Sequence, residues 1–156
     1  MKTILGNLLR ENQIVLDLRA TNRWEAIDEL LTSLVGAGRV KAEDRDAIMG
    51  AVRKREMSMS TGIGHGIGVP HAATELVHEP AAAFGRSSGK INFDSLDGGP
   101  VNLVILFLVP RSQLQQHLHT MSDIAKMFRS VDIRTALEEA PDAAAILKIL
   151  RGNSTA

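Results

Sequence analysis

Val101–Val109 reads VNLVILFLV, and Asn102 is its one polar residue. A strand with one wet face alternates apolar and polar residues, whereas a strand covered on both faces has no need to. The run therefore predicts a central strand with layers packed against both sides. Pro110 ends it, because proline has no N–H to give to a ladder. Working outward, Ala81–Arg86 and Lys90–Phe93 read as two further strands, and Asp97-Gly98-Gly99 forms a turn before the central run. Ile14–Leu18 (IVLDL) reads as a short first strand.

Helices account for the rest. Thr21 or Asn22 offers an N-cap, Glu25 follows Asn22 by three, and Trp24, Ile27, Leu31, Leu34 and Val35 recur at helical spacing before Gly36 and Gly38. A second helix is expected from about Glu43 to Glu56, a third from Ser112 or Gln113 to about Arg129, and a fourth over Asp132–Glu139. The last opens at Pro141, runs to Leu150 and ends at Gly152. The expectation is one α/β domain over residues 1–156, a mixed central β-sheet flanked by helices. Strand order cannot be read from this pattern.

Composition narrows the function classes. The chain has 156 residues, 44% hydrophobic and 23% charged, a globular balance for one domain. Eighteen Lys and Arg against eighteen Asp and Glu give no basic excess, which argues against a nucleic-acid partner. The absence of cysteine excludes disulfides, thiolate metal sites and a Cys nucleophile. Met1–Arg10 is too polar for a signal peptide, and no apolar run approaches the roughly 18 residues of a membrane span. The expected compartment is the cytoplasm. Asn153-Ser154-Thr155 is a formal glycosylation sequon, which carries no weight without a secretion signal.

The chemistry concentrates in Ser60–His71, STGIGHGIGVPH. Gly62, Gly64, Gly66 and Gly68 alternate, and such a run lets backbone N–H groups approach an anion closely. It lacks the Gly-Lys-Ser/Thr of a P-loop, and its glycines miss the spacing of a dinucleotide fingerprint. On glycine content alone, a flexible or tight-turning loop explains it equally well. Its end is more informative. Pro70 fixes its own φ and restricts Val69, so the chain enters His71 stiffly. Imidazole is a competent nucleophile near neutral pH.

Arg55-Glu56, Ser60-Thr61-Gly62-Ile63-Gly64, Gly66-Ile67 and Pro70-His71 resemble the phosphohistidine motif of the IIA domains of the bacterial phosphotransferase system, mannitol/fructose class. A second block, His117-Leu118-His119-Thr120-Met121-Ser122 followed by Ile124-Ala125-Lys126, is similar to the same class, and the likeness is nearest to its nitrogen-regulatory branch. Departures are His65 where the family commonly has a small polar residue such as Asn, Gly68 for a usual Ala, Ala72 for a usual Gly, and the insertion Met57-Ser58-Met59. The resemblance implies that His71 accepts a phosphoryl group from a histidine-containing phosphocarrier protein. It implies transfer onward to a IIB domain in transport members, or control of a regulatory target protein in nitrogen-regulatory members. The end of the chain at Ala156 favours regulation. The protein would be a phosphotransferase-system component rather than a self-contained enzyme. A binding module of the same fold that is never phosphorylated is the competing expectation, and intact Arg55, His71 and His117 argue against it.

Helical phase bears on the second histidine. His117 falls on a stripe with Leu114, Leu118, Met121, Ile124, Ala125 and Phe128, while His119 is rotated by roughly 200° and faces away. An inward histidine can be a satisfied core residue or a donor to the phosphoryl oxygens; the resemblance carries the second active-site histidine onto His117. Arg55 can be a solvated helix-end charge or a planar fork for two phosphoryl oxygens, and the resemblance favours the latter. Thr61 can donate its hydroxyl to the phosphoryl group or cap the turn, and both readings stay open. His65, His71 and His78, spaced by six and seven, form no compact ligand motif. No metal and no cofactor are expected, since transfer between two histidines requires neither.

Overall fold

The structure, a computed structural model, describes residues 4–152. The helices are α1 (Ile4–Leu8), α2 (Arg23–Gly36), α3 (Arg45–Ser58), α4 (Leu114–Phe128), α5 (Val131–Glu139) and α6 (Ala143–Leu150). The strands are β1 (Ile14–Val15), β2 (Gly62–Gly64), β3 (Ile67–Gly68), β4 (His71–Thr74), β5 (Ala81–Ile91) and β6 (Val101–Pro110). They form one six-stranded mixed sheet in the order β1-β5-β6-β3-β2, with β4 also paired to β6. β5 runs antiparallel to β6, and β3 and β4 run parallel to it.

The apolar run sits at the centre, as its composition requires. Val104, Leu106 and Leu108 face a core with Ile27, Leu30 and Leu31 of α2 and Ile48 and Val52 of α3. Leu103, Ile105, Phe107 and Val109 face the opposite core, with Ile124 and Phe128 of α4 and Ile146 and Leu150 of α6. The pleat still alternates, but both sides are buried. Each fully buried side chain of this kind contributes roughly 1.5–3 kcal/mol.

Local signals set the helix ends. Asn22 caps α2 by accepting from the Glu25 N–H at 3.0 Å. Ser130 caps α5 and Asp142 caps α6 through their side chains. The Asp142 cap shifts the start of α6 to Ala143, so Pro141 lies before the helix rather than in its first turn. α3 begins two residues later than expected, after a 3₁₀ turn over Ala42–Asp44.

Three strand expectations change. The first strand is confined to Ile14–Val15, although the Leu18 N–H still donates to the Arg86 carbonyl at 2.8 Å. The two expected strands before the turn are one, β5, whose register breaks between Arg86 and Ile91 at Ser87-Ser88-Gly89-Lys90. The glycine-rich segment is not a simple loop: it holds the hairpin of β2 and β3 and the first residue of β4. The 153–155 sequon lies outside the described residues.

Candidate functional site

Residues 67–74 run beside β6 as two short strands, β3 and β4, with one interruption. Ile67 and Gly68 pair with Leu103 and Val104, and His71 to Thr74 pair with Phe107 to Pro110. The break falls at Val69-Pro70, where proline has no N–H for the ladder. The Pro70 carbonyl is still used, accepting from the Phe107 N–H at 3.0 Å. Pro70 therefore marks an interruption within the sheet, and His71 is the first residue of β4 rather than the end of a loop.

β2 and β3 form a tight antiparallel hairpin whose tip is left-handed over three residues, Gly64 (φ 99°), His65 (φ 58°) and Gly66 (φ 83°). A side chain at Gly66 would place its Cβ 2.6 Å from the Asn102 Oδ1, and one at Gly68 would meet the Phe93 ring at 2.8 Å. His65 occupies a conformation that Asn, Asp and His tolerate better than most residues.

His71 is half-buried. Its Nδ1 lies 2.9 Å from the Val69 carbonyl oxygen. A carbonyl can only accept, so Nδ1 carries the proton and Nε2 keeps its lone pair. The environment pushes the His71 pKa below its ordinary value of 6.5: burial acts most strongly, the Val69 carbonyl opposes it, the Arg55 charge adds to it, and the Glu56 charge opposes it. The result is a neutral imidazole at neutral pH with its free nitrogen fixed as Nε2.

His117 lies on the same side of the sheet. In register, His71 stands beside Phe107, and the His117 ring meets Phe107 edge-on with centroids 6.0 Å apart. His117 is 7% exposed, with Gln113 Oε1 and Thr120 Oγ1 each 3.3 Å from a ring nitrogen. His119 is exposed and pairs with Asp123 at 3.5 Å. The helical phase thus places both histidines as expected. It misplaces two leucines: Leu114 and Leu118 are exposed, and the buried stripe is His117, Thr120, Ile124, Met127 and Phe128. The physical reason is the width of the contact, since one sheet face covers only a narrow arc of α4.

Arg55 lies in the last turn of α3 and donates to the Met59 carbonyl at 2.9 Å, close enough to His71 for its charge to bear on the imidazole. Thr61 is buried, and its hydroxyl donates to Glu56 Oε1 at 2.5 Å while its N–H donates to Glu56 Oε2 at 2.8 Å. His71 and His117 therefore both border Phe107, the Arg55 charge acts on the His71 ring, and the Thr61 hydroxyl is turned toward Glu56. Glu56 itself, quoted in the motif without a role, is the contact that sequence reasoning passed over. One signal was available: a carboxylate in the last turn of a helix opposes the dipole and needs a local reason. Phe107 was hidden inside the apolar run, where nothing separates it from its neighbours.

Among the described residues, no cluster of three His, Asp or Glu side chains could hold a metal ion, and no helix is long and apolar enough to cross a membrane. Residues 7–153 match the family described as the phosphoenolpyruvate-dependent sugar phosphotransferase system, EIIA 2.

The chain belongs to this EIIA 2 family.

Its relatives include fructose-specific components and nitrogen regulatory proteins. A fructose-specific EIIA component of Haloferax volcanii is 40% identical over 80% of each chain. A fructose-specific EIIABC component of Bacillus subtilis is 38% identical over 94% of this chain, which spans only 23% of that longer protein. The nitrogen regulatory protein IIA-Ntr of Neisseria meningitidis superposes with a TM-score of 0.85 at 28% identity, covering 95% of this chain and 99% of that one. The mixed sheet with helices on both faces is therefore the fold of a phosphotransferase-system IIA domain.

Proposed function

We propose that the protein carries a phosphoryl group on His71 Nε2, taken from a histidine-containing phosphocarrier protein. The observation that carries this reading is the Nδ1 contact to the Val69 carbonyl at 2.9 Å, which leaves Nε2 unprotonated on a half-buried ring. The Nε2 lone pair forms the new N–P bond as the donor's N–P bond breaks, and that electron pair returns to the donor imidazole. Negative charge spreads over the three equatorial oxygens in such a transfer. Arg55 supplies a planar cationic fork and His117 a ring N–H at the same region, so both stabilise that charge. The Thr61 hydroxyl, held by Glu56, is left out of this step. No metal or cofactor enters the reaction.

Downstream, nitrogen-regulatory control of a target protein is the favoured role, supported by the 0.85 superposition on a nitrogen regulatory IIA protein across nearly the whole of both chains. Transfer to a IIB domain in fructose-type uptake is the second reading, favoured by 40% identity to a fructose-specific EIIA component. Either role takes place in the cytoplasm, where a soluble phosphocarrier meets its partners.

The test is intact-mass measurement after incubation with phosphorylated phosphocarrier protein. Wild-type protein should gain one phosphoryl group, lost on mild acid treatment and kept in alkali, as expected of an N–P bond. His71→Ala should gain none while keeping its fold. Full labelling of that variant would sink the assignment, and acid-stable label would point to Ser60 or Thr61.

A further inference from the structure

The carboxylate of Glu56 has no exposed side-chain surface, yet it sits one residue from Arg55 in the last turn of α3. A buried charge is costly unless paired and hydrogen-bonded, and here the helix dipole opposes it as well. Its partners explain its presence. Arg23, at the start of α2, reaches one oxygen at 3.3 Å, and Thr61 donates to the carboxylate through both its N–H and its hydroxyl. The Thr61 carbonyl in turn accepts from the Val69 N–H at 3.0 Å. The Val69 carbonyl then accepts from His71 Nδ1 at 2.9 Å. An unbroken chain of hydrogen bonds runs from Arg23 through Glu56, Thr61 and Val69 to the nucleophile.

We propose that Glu56 is a positioning residue: through Thr61 and Val69 it orients the carbonyl that holds the His71 imidazole in its Nδ1–H tautomer, keeping Nε2 free to receive the phosphoryl group. This rests on the reading of His71 as the acceptor. An imidazole without such a carbonyl distributes its proton over both nitrogens, and a ring protonated at Nε2 cannot attack. The same carboxylate ties the end of α3, and with it Arg55, to the strand that leads to His71. Removing outer partners that orient metal-ligating histidines typically costs about 10- to 100-fold in activity, and a loss of the same order is expected for a nucleophilic histidine held in the same way.

Nitrogen-15 NMR of the histidine rings, recorded above the His71 midpoint, reads the tautomer directly and needs no phosphoryl donor. Wild-type His71 should show a protonated Nδ1 and a bare Nε2. Folded Glu56→Ala should show a mixture of tautomers, together with phosphorylation slowed about 10- to 100-fold. Glu56→Gln, which retains an acceptor for the Thr61 N–H but not the charge that holds Arg23, should fall between the two in both readouts. A Glu56→Ala protein that keeps the wild-type tautomer and rate would overturn the proposal. Should Glu56→Ala fail to fold, Glu56→Gln decides, and a wild-type tautomer and rate in that variant would overturn the proposal equally. A wild-type protein that is never phosphorylated, but whose His71 tautomer shifts in Glu56→Ala, would overturn the carrier function and leave the positioning role standing.

Discussion

At His71 the backbone and the surroundings act on different properties of one ring. The Val69 carbonyl determines which nitrogen bears the proton, while burial and the Arg55 charge lower its affinity for a second one. The sign for stability follows. Between the depressed folded midpoint and the ordinary value of 6.5, the unfolded chain binds more protons than the folded one. The contribution of a neutral His71 is therefore present above 6.5 and is lost as pH falls through the folded midpoint. An NMR titration should place the His71 midpoint below 6.5, and Arg55→Gln should raise it by removing a nearby positive charge. A wild-type midpoint at or above 6.5 would mean that the ring is solvated and the pocket open. The sequence singles out His71 through Pro70 and the motif it closes. Its tautomer was not legible there, because the bond that sets it belongs to a carbonyl whose direction only the folded chain defines.

The hairpin and α4 show what element-level patterns can carry. Alternating glycines signalled tight turning, which is present, since Gly64 and Gly66 have positive φ; the close approach at Gly68 is to the Phe93 ring. They concealed β-structure, because glycine has low strand propensity and the segment gains its order from the edge of β6. His65→Val should destabilise the protein by about 1–2 kcal/mol, since a β-branched residue resists the left-handed conformation, whereas His65→Asn should be nearly neutral. Chemical denaturation measures both, and equal stability of the two variants would show that the tip is not left-handed in solution. On α4, the phase argument distinguishes the two histidines by burial. If His117 stabilises the transferring group, His117→Ala should slow phosphorylation by about 10²–10³. His117→Gln should retain partial activity, and His119→Ala should stay near wild type. Loss of phosphorylation in His119→Ala with full activity in His117→Ala would reverse the roles.

Across the whole molecule, β6 separates two cores and Phe107 belongs to the one beneath the site. Phe107 also touches His117 and stands in register with His71, so packing and chemistry share this residue. Phe107→Ala should cost about 3–5 kcal/mol in stability. Trp24, the single tryptophan, packs on the other core, so its fluorescence reports the far side of the sheet. Fluorescence and circular dichroism should shift together in Phe107→Ala, because one continuous sheet couples both faces. Separate midpoints would show that the two layers unfold independently.

The sequence by itself determined the α/β class, the doubly covered strand over Val101–Val109 and a cap at the start of α2, and it supplied the expectation that His71, His117 and Arg55 form the site. These are properties of spacing, propensity and local motif, which a linear chain displays. Tertiary structure alone decided the strand order, the merging of two expected strands into β5, the strand character around Pro70, the exposure of Leu114 and Leu118, and the engagement of Thr61 by Glu56. Most of these depend on which distant segment lies alongside, and a hydrogen bond between residues such as Arg23 and Glu56 exists only once α2 and α3 have packed on the same face of the sheet.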